Sequence, residues 1–236
     1  MDNLGIIYYT SNRENSEFER KIQKTLIENS KGIPIVSVSQ KPIDLGINIC
    51  VGDNIGASGF NVFRQVQIAC QNINTKFVIS AEADCCYPPD YFTFIPNKDN
   101  ICYRNTNLYV MGDHRDYWFY KKEGAVHAQV VGREFYLDTL ERLFKDAPQW
   151  SVDEFNFPKE RYKQEDVFVE KEFDYYRTEN PVFQIKTHRG LRYYTHSDRI
   201  PVYELPFWGS GKKIREYYLK GNKEIYSKQE MNYVNK

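Results

Sequence analysis

Residues Phe77–Phe92 read FVISAEADCCYPPDYF: a short apolar run, two carboxylates one residue apart, two cysteines, then an aromatic and proline-rich stretch. An apolar run of this length reads as a buried strand. A carboxylate pair at its end, Glu82 and Asp84, is costly unless hydrogen bonds, a cation or solvent offset its desolvation. Upstream, LGIIYYT is an apolar, β-rich run that ends in the polar cluster Thr10-Ser11-Asn12-Arg13. EFERKIQKTLIENSKG puts Phe18, Ile22, Leu26 and Ile27 at helical spacing, with Gly32 where a helix should stop. IPIVSVSQ is a second strand, and GASGFNVFRQVQIACQNI places Phe60, Phe63, Val66, Ile68, Ala69 and Ile73 on a second helix. Strands and helices that alternate up to Asp84 predict a βαβαβ half with a parallel sheet. Such sheets bind ligands at the carboxyl ends of their strands. Three polar clusters fall at those ends: Thr10 with Asn12, Ser39-Gln40-Lys41, and Glu82 with Asp84.

After residue 100 the pattern changes. NICYRNTNLYVMG and YWFYKKEGAVHAQVVG read as strands or a hairpin, and REFYLDTLERLFKDA as an amphipathic helix with Phe135, Leu137, Leu140, Leu143 and Phe144 on its apolar side. A further helix is expected after Pro158, and a strand and turn in PVFQIKTHRGLRYYTH. The reading is one α/β domain over 1–211, with a nucleotide-binding half at 1–95, an acceptor half at 96–211 and a polar tail or helix at 212–236.

Composition narrows the function classes. The 236 residues are 41 % hydrophobic, enough for a substantial core. Thirty-two basic and 32 acidic residues cancel, so no overall basic field points to strong sequence-independent nucleic-acid binding. No stretch has the apolar length of a membrane span, and the N-terminus lacks a signal-peptide pattern; the expectation is a soluble, cytoplasmic protein. Cys50, Cys70, Cys85, Cys86 and Cys102 are odd in number and follow no zinc spacing. The vicinal pair Cys85–Cys86 is expected as reduced thiols, one in and one out.

The phrases GIIYYTSNR, IPIVSVSQKPIDLGINI, EADCCYPPDYFTFIP, YRNTNLYV and the late Trp208–Gly209 occur in the order seen in small bacterial and phage glycosyltransferases. The chain resembles that group, family-2-like enzymes of the GT-A fold, across most of residues 4 to 209. The resemblance implies a Rossmann-like, mostly parallel sheet flanked by helices, and metal-assisted transfer of a sugar from a nucleotide sugar, most simply a UDP-sugar. It places Thr10 and Asn12 at the nucleobase, Ser39, Gln40 and Lys41 at base and ribose, and Glu82 and Asp84 beside the diphosphate with Mn²⁺ or Mg²⁺. A dication held by carboxylate oxygens neutralises the charge that develops on a diphosphate leaving group, and both ions prefer oxygen ligands. Relatives carry a histidine between the two acids where this chain has Ala83. Their late Arg-His stands here as Lys186-Thr187-His188, which leaves His188 or His196 as third metal ligand. The acidic pair Glu165–Asp166 resembles the acceptor-activating carboxylates of inverting members, with Asp166 as the base and Asp153 or Glu154 as alternatives.

Other signals read two ways. Thr10 and Asn12 also suit a plain turn. GASGF before a helix suits either an anion cradle or a turn. Arg64 reaches either the nucleotide or a surface acid. Tyr87, Tyr91 and Phe92, or Trp208, form either a sugar platform or core. His114 and His127 read as surface or packing histidines and receive no role, and KKIREYYLKGNK reads as a solvated helix face or, second, as a contact for an anionic acceptor. Two other functions compete: a non-catalytic GT-A-like binding module, and a nucleotidyltransferase, for which TSNREN lacks the glycines. The acceptor stays open among a glycan, a lipid-linked sugar, a protein and a modified nucleic-acid base.

Overall fold

The computed structural model describes residues 3–112, 117–153, 166–191 and 197–220. Glu154, the expected helix after Pro158, Glu165, His114, His196 and the chain beyond 220 lie outside them. The first half runs β1 (Leu4–Thr10), α1 (Ser16–Ser30), β2 (Ile35–Ser39), β3 (Ile47–Cys50), α2 (Gly59–Asn72) and β4 (Phe77–Glu82). Then follow β5 (Cys85–Cys86), β6 (Cys102–Asn105), β7 (Leu108–Gly112), β8 (Phe119–Lys122), β9 (Gln129–Gly132) and α3 (Arg133–Leu143). The last described elements are β10 (Phe173–Tyr176), β11 (Val182–Lys186), β12 (Pro201–Val202), β13 (Glu204–Leu205), β14 (Gly209–Ser210) and α4 (Gly211–Tyr218).

The central sheet has the order β10-β6-β9-β4-β1-β2-β3. The pairs among β4, β1, β2 and β3 are parallel, as is β6 with β10, while β9 is antiparallel to both neighbours. This is the expected mixed α/β architecture, a mostly parallel sheet flanked by helices. β1 is buried along its whole length, which is why it reads as an uninterrupted apolar run rather than an alternation. Edge strand β3 escapes the sequence reading because its four residues are exposed or half-buried.

Alternation along β1 divides the core. Ile7 and Tyr9 face α2 and α3, whereas Leu4, Ile6 and Tyr8 face Leu26 of α1 and the Tyr87–Phe92 turn. Helix α1 starts where Asn15 Oδ1 accepts from the amides of Glu17 and Phe18, a cap that contributes about 1 kcal/mol. Its Phe18, Ile22 and Leu26 are buried as expected, but Ile27 is exposed. Helix α3 buries Tyr136 along with Leu137, Leu140 and Phe144, while Phe135 and Leu143 pack at its margin.

A second sheet, β12-β8-β7-β11-β5, stands against the first. The chain leaves one sheet at Asn105 and enters the other at Leu108. Buried amides hold that corner: Asn105 Oδ1 accepts from the Asn107 amide at 2.8 Å, and Asn107 Nδ2 donates to the carbonyls of Thr178 and Glu179. The segment read as a solvated helix face begins as helix α4, but one side of it is not solvated. Its Ile214 and Tyr218 are buried, and the Tyr218 hydroxyl lies 2.7 Å from Thr25 Oγ1. Cys85 and Cys86 are free thiols, and both are buried. They point to opposite faces of the second sheet, Cys85 among Leu108 and Val182 and Cys86 among Phe119 and Phe183. No helix among the described residues is long and apolar enough to cross a membrane.

Candidate active site

The carboxyl ends of β1, β2 and β4 open into one cleft of about 910 Å³. Its walls come from the first turn of α2 and, across the gap, from β8 and β11 of the second sheet. A smaller recess of about 490 Å³ continues it over Ser11, Asn12, Lys41 and Asp53.

Glu82 and Asp84 stand where β4 ends, and both line the cleft. Glu82 is opposite Tyr9 in the β1–β4 register, and the Tyr9 hydroxyl donates to its Oε1 at 3.0 Å. Burial and then the neighbouring Asp84 carboxylate push the Glu82 carboxyl up to about 7, against the opposing pull of Lys186 and Lys122. Asp84 is buried, and Gln184 Nε2 donates to both its oxygens, at 3.1 and 2.9 Å. Gln184 and Lys186 lie two apart on β11 and so share one face. Lys122, at the end of β8, lines the same cleft. Burial and then Lys186 lower its ammonium's proton affinity.

The remaining expected site residues divide. Thr10 lines the cleft, and its Oγ1 accepts from the Asn12 amide at 2.9 Å. Asn12 sits in the left-handed region at φ 52°, and its Oδ1 accepts from the Lys41 amide at 2.7 Å, tying the ends of β1 and β2 together. Gln40 lines the cleft and donates to the Gly56 carbonyl at 2.6 Å. Ser39 is fully buried, its Oγ taken by Asn48 Nδ2. Lys41 lies at the smaller recess.

Arg64 is not brought to the cleft. It donates to the Gln67 side chain and the carbonyls of Ala147 and Pro148, and lies 3.8 Å over the Phe144 ring. His188 is exposed in the turn after β11 and does not line the cleft either. Asp166 does line it, but from a buried position: Oδ2 pairs with Arg104 at 2.6 Å and Oδ1 accepts from the Phe168 amide at 3.3 Å. Asp153 is exposed and is not part of the lining.

The aromatic platform is core instead. Tyr87, Tyr91 and Phe92 are buried against one another. The Tyr87 hydroxyl joins the Glu82 amide to the His127 carbonyl, so this cluster sets the shape of the acidic turn from beneath. Trp208 donates to the Pro181 carbonyl and packs edge-on against Phe183. In GASGF, Ser58 Oγ caps α2 by accepting from the Asn61 amide at 3.1 Å.

Sequence reasoning passed over Tyr9, Gln184, Lys122 and Arg104. For Gln184 the signal was present: in VFQIK the polar residues fall two apart, the mark of one strand face. Arg104 carried no such signal, because its partner Asp166 is distant in sequence.

The donor set fits a divalent cation that prefers oxygen. Two carboxylates meet at a strand end, and Gln184, whose Nε2 faces Asp84, has a buried Oε1 with no hydrogen-bond partner among the described residues. Such an oxygen suits a hard dication as well as the carboxylates do.

No protein-family model matches the chain, and neither does any curated protein. Among solved structures, residues 1–349 of S. aureus TarS in complex with UDP-GlcNAc share 12 % identity over 83 % of this chain, with a TM-score of 0.46; the chain spans 62 % of that one. A glycosyltransferase involved in the glycosylation of the major capsid of PBCV-1 shares 13 % over 74 % of this chain and 81 % of its own, at 0.40. The protein Aq1419 of Aquifex aeolicus VF5 shares 11 % over 68 % and 89 %, at 0.38. At such identities and scores a likeness is silent about chemistry, which the cleft itself must supply.

Proposed function

We propose that the chain is a glycosyltransferase of the GT-A type that takes its sugar from a nucleotide sugar, most simply a UDP-sugar. The observation that carries this reading is the convergence of three parallel-strand ends on one cleft that Glu82, Asp84, Lys122 and Lys186 all line. A diphosphate leaving group needs its developing charge offset, and this cleft would offer that through a carboxylate-held cation and through two lysines. Glu82 and Asp84, with the Gln184 oxygen, would hold Mn²⁺ or Mg²⁺. When bound, that ion supplies Lewis-acid stabilisation of the departing diphosphate. Lys186 and Lys122 add fixed positive charge in a partly desolvated wall, where it acts more strongly than in water. Tyr9 keeps Glu82 oriented. Thr10, Gln40 and Lys41 border the part of the cleft where base and ribose fit, and Asn12 sets the spacing of the β1 and β2 ends. An acceptor hydroxyl must lose its proton as it attacks; Asp166 is the carboxylate assigned to that step, held in place by Arg104.

The test is donor turnover. Incubation with UDP-sugars and Mn²⁺ should release UDP, slowly by hydrolysis and faster once an acceptor is supplied. Pyrophosphate release from a nucleoside triphosphate and a sugar phosphate, with no UDP release, would replace the proposal with nucleotidyl transfer. Binding of the donor without any release would replace it with a binding module.

A further inference from the structure

Glu82 also belongs to a second cluster, whose other two members, Cys85 and His127, the reading above does not use. One ligand atom each from Glu82, Cys85 and His127 falls within 4.8 Å of the other two. The three come from separate places: the end of β4, strand β5 and the loop between β8 and β9. His127 is 3 % exposed, and its Nε2 is buried without a hydrogen-bond partner among the described residues. An unsatisfied buried polar atom costs about 1–3 kcal/mol, so its retention calls for a ligand.

We propose that Glu82, Cys85 and His127 form a mixed oxygen, sulfur and nitrogen site for a borderline-soft dication, Zn²⁺ being the natural occupant, at the floor of the cleft. A thiolate and an imidazole select such ions over Mg²⁺. Three protein donors leave a fourth position open, the arrangement of reactive rather than purely structural zinc sites. Ligand atoms of a tetrahedral zinc stand roughly 3.3–3.8 Å apart, given bonds of about 2.0–2.3 Å. The cluster therefore has to close by at most about 1–1.5 Å, a rotamer-scale adjustment.

The surroundings favour the ligand form of His127, while burial and the Asp84 and Glu82 carboxylates push the Cys85 thiol up, so the incoming dication itself must displace the thiol proton. Burial, followed by Lys122 and Lys186, keeps the His127 imidazole neutral, with a lone pair to donate. The Cys85 thiol points at Asp84 Oδ1, 3.2 Å away. On coordination the S–H bond breaks, the sulfur keeps the electron pair for the metal and the proton leaves to solvent. Two carboxylates and one thiolate against two lysines leave a net negative site for the incoming dication. Binding of the ion does not depend on sugar transfer. Only its use beside the diphosphate rests on the proposed function, in which this ion would take the place of Mn²⁺ or Mg²⁺ on Glu82.

The experiment is Co²⁺ titration of the metal-free full chain with no nucleotide present, in a Cys50→Ser background because Cys50 is exposed. One equivalent should bind and give a thiolate-to-cobalt charge-transfer band. Cys85→Ser should remove the band and weaken binding by at least the roughly 10–100-fold that even outer-shell losses cost. No uptake, or a band that survives Cys85→Ser, overturns the proposal. X-ray absorption on the zinc-loaded wild-type chain decides without any substitution in the cluster. One sulfur and one imidazole in the coordination shell support the site, and a shell of oxygens alone overturns it. Because nucleotide is absent throughout, failure here leaves the UDP-sugar reading standing, and failure of that reading leaves this site standing.

Discussion

Asp166→Asn is the substitution that best separates structure from chemistry in this cleft. Arg104 is the largest fully buried side chain among the described residues, 1 % exposed. Its guanidinium pairs with Asp166 Oδ2 at 2.6 Å, donates to Gln129 Oε1 at 3.2 and 3.3 Å, and lies 4.4 Å over the Phe173 ring. Asparagine keeps an oxygen near the guanidinium but removes the counter-charge. Breaking a buried pair by removing one partner costs about 3–5 kcal/mol, and the retained amide oxygen sets the expectation at the lower end, about 3 kcal/mol. In a chain of this size each kcal/mol shifts Tm by roughly 2–4 °C, so Tm should fall by about 6–12 °C in calorimetry or thermal circular dichroism. Arg104→Met/Asp166→Leu should lose less than Asp166→Asn alone, since it leaves no uncompensated charge. About 1 kcal/mol of loss should persist, because the Phe168 amide loses its acceptor and Gln129 Oε1 keeps only the Cys102 thiol as donor. If Asp166→Asn melts with the wild type, or the double variant is the worse of the two, the pair is not what holds this part of the fold. A variant that melts normally yet has lost turnover would make Asp166 a catalytic carboxylate and nothing more.

In the metal-free protein, Glu82 holds its proton to about pH 7 folded, against an ordinary 4.5. Between those values the folded state binds more protons than the unfolded one. Stability should therefore fall as pH rises from about 4.5 to about 7, by at most about 3 kcal/mol from this group. Denaturant titrations across that range should show the slope flattened in Glu82→Gln; the same slope in both proteins refutes the assignment. Arg64→Met should lower stability by about 1–2 kcal/mol through lost carbonyl and ring contacts. It should leave UDP affinity within about twofold, an effect near 0.4 kcal/mol, and a tenfold loss would put Arg64 in the site after all. Gly132→Ala should destabilise by about 1–3 kcal/mol or more, because its Cβ would stand 1.9 Å from the Asp99 carbonyl oxygen; an unchanged denaturation midpoint would contradict that close approach.

The parallel half of the fold was legible because its strands are buried on both faces and its helices carry one apolar stripe each. LGIIYYT, IPIVSVSQ and FVISAE therefore announce themselves by local pattern alone. Strand β3 was not legible, since an exposed edge leaves Ile47–Cys50 no apolar signature. The second half mixes two sheets, and nothing local tells that Cys102–Asn105 and Leu108–Gly112 part company at a two-residue corner. Site residues divide along the same line. Glu82, Asp84, Thr10 and Gln40 sit at strand ends that sequence could locate. Arg64 could not be placed, because helix periodicity fixes a residue's face and not what packs there. His127 read as a surface or packing histidine, and it takes a tertiary contact, the Tyr87 hydroxyl on its carbonyl, to tie it to the acidic turn.

The central claim is that Glu82 and Asp84 hold a cation and the diphosphate of a nucleotide sugar. Calorimetric titration of UDP and several UDP-sugars, with and without Mn²⁺ or Mg²⁺, on wild type and Asp84→Asn tests it most directly. Metal-dependent binding that Asp84→Asn abolishes is the predicted result. No binding to the wild type with metal present, or binding that Asp84→Asn leaves intact, would contradict it.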